Sequence, residues 1–214
     1  MLFRSALIRG ANLCLAGNEL LQFGAADLVA PRQYRLHQLL RGRRGSEWAM
    51  TAHSAGEAFL LIDADTLATV AGEYVHIGEV LDMLAIGRGD AVPAGAALFV
   101  TGEAVRPLAP VGIRAESDGA GGLLIRWTRR SRAGWRWLDG VEAPLGEESE
   151  SYDIRLSDAD GVFRSHSALS PQWHYEAAMI AADAAAGHSG PVEVSVCQRG
   201  IYALGRPGKL NILI

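Results

Sequence analysis

The sequence predicts a mainly β chain in two domains, and three observations predict it. Its 214 residues include 25 glycines, many of them set between short apolar runs, a pattern that suits frequent turns and short strands. A proline-rich passage, VRPLAPVG at Val105 to Gly112, interrupts the chain near its middle. Beyond it, apolar runs of strand length recur between the turn-forming clusters SDGAGG, SDADG, GHSGP and GRPG.

In the first half the pieces are short. Leu13 to Ala16 and Glu19 to Phe23 read as a hairpin turned by Gly17-Asn18, both tolerant of positive φ. Tyr34, Leu36 and Gln38 alternate with Arg35 and His37, as in a half-buried strand. Ala58 to Ile62 and Ala96 to Val100 are continuous apolar runs of strand length. Between them Tyr74 to Ile86 is ambiguous, since Val75, Ile77, Val80, Leu81 and Leu84 fit either a strand pair or one amphipathic helix. The expected fold here is a small barrel-like or open-sheet β domain over 1–106.

Residues 107–112 are expected to act as a semi-rigid spacer, because Pro107 and Pro110 fix φ and remove two backbone donors. For 113–214 the candidate strands are Ile113 to Ala115, Leu123 to Thr128, Ser151 to Leu156, Val162 to Ser165, Val192 to Gln198 and Leu210 to Leu213. Six or seven short strands of this kind point to a sandwich of immunoglobulin or fibronectin type III shape, with Trp127 and Tyr152 as its large inward residues. Trp173 to Ala186, WHYEAAMIAADAAA, carries enough alanine to read as a short helix.

The totals narrow the function. A net charge of −4 argues against a general nucleic-acid binder. No apolar stretch approaches the ~18 residues of a membrane span. Arg9, Gly10 and Asn12 break up the apolar start, which reads as a chain beginning in mid-pattern rather than as a signal peptide. Cys14 and Cys197 form neither a metal pattern nor a disulfide framework, and are expected as two buried free thiols.

Few residues stand out as a site. Arg35, Arg41, Arg43 and Arg44 cluster on YRLHQLLRGRRG, and guanidinium forks suit phosphate. The cluster lacks an aromatic platform or recognition helix, and its glycines lack the Lys-Ser/Thr of a P-loop. The expectation is a solvated loop whose arginines pair with acids such as Glu47, or face a neighbouring protein. His37, His53 and His76 share no ligand spacing, so no metal is expected, and His166 and His174 read the same way. No G-x-S-x-G elbow marks a nucleophile, and Asp63 and Asp65 read as a strand-ending turn, so neither an enzyme nor a cofactor is expected. Trp135 and Trp137, at i, i+2 beside Arg136 and Asp139, share one face of a strand and suit a sugar ring or a protein partner. Capping of the sandwich core remains the alternative for them.

Three segments together carry a resemblance. RLHQLLRGRRGSEWAMTAHSAGEAFLLID resembles a signature of tail-tip proteins from long-tailed phages and from gene transfer agents of alphaproteobacteria, with Ser46 where the family has Thr. GEAVRPLAPVGIRA is similar to that family's proline-rich passage, and IRWTRRSRAGWRWLDGVEAPLGEESESYDIRL resembles its fibronectin-like domain. Residues 64–90 depart from the family text. The resemblance implies the C-terminal part of a baseplate hub, or host specificity, protein. It further implies a homotrimer within a virion-like tail particle, contacting other tail and baseplate proteins and a cell-surface glycan or protein. The upstream hydrolase-like region of such proteins has no counterpart here. The competing expectation is a stand-alone carbohydrate-binding or adhesive module with Trp135 and Trp137 as its platform.

Overall fold

The computed structural model describes residues 4–63, 65, 67, 68, 70, 72, 75–133 and 143–214, and the chain divides into two compact units, Met1–Glu103 and Ala104–Ile214.

In the first unit a one-turn helix, α1 (Arg4–Ile8), precedes β1 (Leu13–Ala16) and β2 (Glu19–Ala30). Gly17-Asn18 joins these two strands, with Ala16 opposite Glu19, and Gly17 takes the positive φ, 54°. β3 (Gln33–Leu40) returns antiparallel along β2, and β4 (Phe59–Leu61) adds to the other edge of β1. The sheet order is β3-β2-β1-β4, so of the two expected forms this is the open sheet. β2 pairs β1 only through Glu19 to Gln22, and its outer residues pair with β3 alone as a projecting ribbon. Among the described residues the core of this unit is small: Leu7, Leu13, Cys14, Leu21 and Ala49. Buried Gln22 ties α1 down by donating through Nε2 to Leu7 O and Ala11 O, each at 2.8 Å.

The ambiguous stretch resolves as strand. β5 (Val80–Ala85) pairs with β6 (Ala94–Phe99) from Val80↔Phe99 to Ala85↔Ala94. Having a neighbouring apolar run to satisfy its backbone groups decides the matter, because periodicity alone does not separate short strand from helix. The apolar side chains of this hairpin are uncovered: Leu84 is 77% and Val92 76% exposed.

The second unit is a sandwich. β7 (Val111–Ser117), β8 (Leu123–Thr128) and β11 (Gln172–Tyr175) form one sheet in the order β11-β8-β7. The other, in the order β10-β9-β12-β13, contains β9 (Tyr152–Asp158), β10 (Gly161–Ala168), β12 (Pro191–Gln198) and β13 (Gly208–Leu213). Strands one, two and five of the unit facing strands three, four, six and seven is the fibronectin type III arrangement. Ile125, Trp127, Trp173 and Tyr175 from the first sheet meet Tyr152, Ile154, Leu156, Val192, Val194 and Val196 from the second. Each fully buried aliphatic side chain among them contributes about 1.5–3 kcal/mol. Trp127 and Tyr152 are both inward, as the sequence suggests, with ring centroids 5.0 Å apart in an edge-to-face pair.

Two details differ from the sequence reading. Trp173 to Tyr175 belong to a strand, and the helix α2 begins only at Ala177, running Ala177–Ala185. Trp173 and Tyr175 alternate with exposed Gln172 and His174, and Trp173 pairs with Ile125 of β8. Burying two aromatic rings outweighs the helix propensity of the alanines downstream. The prolines also do more than space domains. Pro107 and Pro110 are buried within the second unit, and a Cβ on Gly208 would lie 2.3 Å from Pro110 O. Glycine is required there by close backbone approach.

Candidate functional site

The arginine-rich turn is built around a carboxylate. Glu19 opens β2 with its side chain fully buried, 0% exposed. Arg41, just past the end of β3, donates from Nε and Nη2 to its two oxygens at 2.7 and 2.6 Å. The Gly42 N–H donates to Oε1 at 2.7 Å, and His53 Nε2 lies 2.6 Å from Oε2. Burial alone would push the Glu19 carboxyl up. The hydrogen bonds from Arg41, Gly42 and His53 outweigh it and hold the group down at about 2.

The turn is fixed from a second direction. Ser46 Oγ accepts from Leu20 N at 2.9 Å and faces Leu20 O and Arg43 O as acceptors. Gly42 has φ 59°, and a Cβ there would lie 3.0 Å from Glu47 Cα, so the position demands glycine twice over. Arg41 Nη2 also donates to Met50 O at 2.9 Å. The segment from Arg41 to Met50 is therefore tied to β2 at four points.

What the turn presents outward is mixed. Arg44 is exposed and holds a left-handed φ of 53°, Arg43 is half-buried, and Trp48 is 41% exposed beside exposed Met50. An aromatic, a thioether and two guanidinium groups on a braced loop match the composition of protein-protein contact surfaces. The sequence reading placed Arg41 among partner-facing residues and named Glu47 as an acid for this cluster. The structure gives Arg41 a different task, as the internal clamp on Glu19. It leaves Arg44 exposed and Arg43 half-buried, and places exposed Trp48 on the same turn.

His53 completes the group. Its Nδ1 lies 2.5 Å from Glu57 Oε1 while its Nε2 faces Glu19. The hydrogen bonds to Glu19 and then Glu57 raise its pKa. The signal for Glu19 and His53 was weak: a lone acid inside LAGNELLQF, and a histidine in a turn.

The remaining expected platform, Trp135 and Trp137, lies outside the described residues. The flanking stems are pinned: Arg129 donates to Ala143 O and Pro144 O at 2.8 and 3.0 Å, and Arg132 Nε donates to Glu147 Oε1 at 2.8 Å. On the opposite side of the second unit Arg164 grips Asp183 of α2 through Nε and Nη2, both at 2.6 Å, and buried Tyr175 donates its hydroxyl to the same carboxylate. This holds α2 against the sandwich. Cys14 and Cys197 are free thiols, Cys14 buried and Cys197 half-buried, and burial pushes the Cys14 thiol up to about 11. Among the described residues no group of three His, Cys, Asp or Glu is placed to hold a metal ion, and no helix is long and apolar enough to cross a membrane.

Comparison with known proteins finds a family model that matches part of the first unit. Residues 2–60 match a family model described as Rcc01698-like, C-terminal, a name associated with gene transfer agent-like proteins. That span holds the whole Glu19 clamp and leaves 61–214 outside it. No curated protein matches the chain. Among solved structures it is similar to the rat CD45 extracellular region, domains d3-d4, with a TM-score of 0.36 at 7% identity over 89% of this chain and 94% of that one. It is also similar to the fibronectin type-III domain of human fibronectin type III domain containing protein 3, with a TM-score of 0.33 at 11% identity over 50% and 85%.

Proposed function

We propose that this chain is a structural component of a phage-like tail tip or baseplate, working by assembly contacts and surface attachment rather than by catalysis. The observation that carries the reading is the uncovered apolar surface of the first unit. Val80, Leu84, Ile86, Val92, Leu98 and Phe99 on and around β5 and β6 are all exposed, as are Phe59, Leu60 and Leu61 of β4. A two-stranded hairpin is marginal in water by itself. Large apolar side chains left exposed in this number mark a surface that another chain covers.

The family match over residues 2–60 supports the tail-tip setting, and the braced RGRRG turn supports a contact role. In this reading the chain is homotrimeric in the assembled tail, neighbours other baseplate proteins through its first unit, and carries the fibronectin type III-like unit toward a cell surface.

The test is mass spectrometry of particles sedimented from an induced culture of the source organism. Peptides of this chain recovered together with other tail proteins are the expected result. Recovery only as a free 22.8 kDa protein would overturn the assignment. Retention of that free protein on glycan would favour a stand-alone carbohydrate-binding module instead.

A further inference from the structure

His53 sits between two carboxylates. Its Nε2 is 2.6 Å from Glu19 Oε2 and its Nδ1 is 2.5 Å from Glu57 Oε1. An ionised carboxylate only accepts hydrogen bonds, so each ring nitrogen must carry a proton for both contacts to form. A neutral imidazole would turn a lone pair toward one carboxylate at that distance. With both carboxylates ionised, the geometry thus fits the imidazolium and not the neutral ring.

The charged neighbours agree. From β2 comes Glu19, from the end of β3 Arg41, and from the segment of His53 itself Glu57. Glu47 packs over Gly42 on the far side of the turn, and on β1 the Cys14 thiol is held protonated by burial. With His53 charged, Glu19, Arg41, His53 and Glu57 sum to zero. With it neutral, one of the two acids loses its cation, and one of them is buried.

The segment that His53 holds leads directly into β4. Glu57 lies against the β1–β2 turn, where a Cβ on Gly17 would approach Glu57 Oε2 to 2.5 Å, and Gly17 N donates to Ala58 O at 2.9 Å. Phe59, Leu60 and Leu61 then pair with Ala16, Leu15 and Cys14, and Ile62 N donates to Leu13 O at 2.8 Å. β4 is three residues long with all three side chains exposed, so little apolar burial holds it in place.

We propose that His53 is a proton-operated latch: charged, it straps β4 to the edge of β1, and on losing its proton it releases β4 and opens that edge for another strand. A group whose pKa is raised on folding contributes its stability below the ordinary histidine value and loses it as pH rises through the folded value. With both carboxylates ionised, the latch is therefore closed below the ordinary histidine value and opens as pH rises through the raised one. An edge freed in this way offers unpaired N–H and C=O groups, the usual template for strand addition.

Two readouts on the full chain test this. Nuclear magnetic resonance titration of the histidine ring protons should place the His53 midpoint above its value in the urea-unfolded chain. Hydrogen exchange at the amides of Gly17 and Ile62, corrected for the intrinsic pH dependence, should lose protection across the same midpoint by roughly tenfold per unit of displacement. Glu57→Gln should lower the midpoint and move the loss of protection with it, and His53→Gln should leave those amides poorly protected at every pH. A His53 midpoint equal to that of the unfolded chain, or protection that stays flat through the titration, overturns the proposal. The wild-type titration decides the matter even where a variant does not fold.

Discussion

Arg41 and Glu19 form a two-pronged ion pair in which the acid is wholly buried and the base is about one-third exposed. The pair fastens the end of β3 to the start of β2, and with it the turn that carries Arg43 and Arg44. Removing one member of such a pair strands the other without water, which typically costs 3–5 kcal/mol or so. Arg41→Ala should lower stability by about that much, and Arg41→Lys by less, since an ammonium cannot supply the fork. Arg44→Ala, on the surface, should change it by no more than ~0.5 kcal/mol. Urea denaturation followed through Trp48, the one tryptophan of the first unit, reads all three.

The same carboxylate sets an acid limit. The Glu19 carboxyl, though pushed up by burial, is held down at about 2 by Arg41, Gly42 and His53, from an ordinary value of 4.5. A depressed folded value means stability that is complete above the ordinary value and is lost as pH falls through the folded one. The first unit should therefore lose stability between about pH 4.5 and pH 2. Trp48 fluorescence against pH should show that limb, and Glu19→Gln should remove it while lowering stability at neutrality.

How far the sequence led differs between the two units. In the second, alternation and turn clusters marked six of the seven strands, because each strand has one wet and one dry face and the pattern shows directly. It missed β11, whose four residues run into an alanine-rich helix, so that propensity spoke for both. In the first, the hairpin turn at Gly17 was legible, but the function of Arg41 was not. A bidentate pair between residues 22 apart leaves no periodic trace, and Glu47, near in sequence, was the natural candidate for a partner. His53 shows the same gap: its two carboxylates stand 34 residues back and four residues on, and only the fold brings them to opposite sides of one ring.

The second unit carries a parallel ion pair with a third member. Arg164 holds Asp183 at two points, and Tyr175 donates to the same carboxylate from a buried position. Tyr175→Phe should cost about 1–2 kcal/mol, since Arg164 still satisfies the acid. Arg164→Ala and Asp183→Ala should each cost more, and the double variant less than their sum, with a coupling of about 1–3 kcal/mol. Denaturation of the four proteins gives that coupling directly. A value near zero would mean that α2 is held by its apolar contacts, Met179 and Ile180 against the core, and not by the clamp.

Burial and exposure make opposite predictions for two leucine-sized side chains. Ile154 is fully buried among the sandwich residues, so Ile154→Ala should lower the stability of the isolated chain by about 2–5 kcal/mol. Leu84 on β5 is 77% exposed, and Leu84→Ser should change it by no more than ~0.5 kcal/mol. In the assembled particle the order should reverse. Covering Leu84 against a neighbouring chain would contribute about 1.5–3 kcal/mol for each fully buried copy, and a trimer would multiply the effect. Leu84→Asp should thus leave the free protein folded while depleting it from sedimented particles. If that variant enters particles as well as the parent does, β5 and β6 are not the surface through which this chain assembles, and the tail-tip reading loses the observation on which it rests.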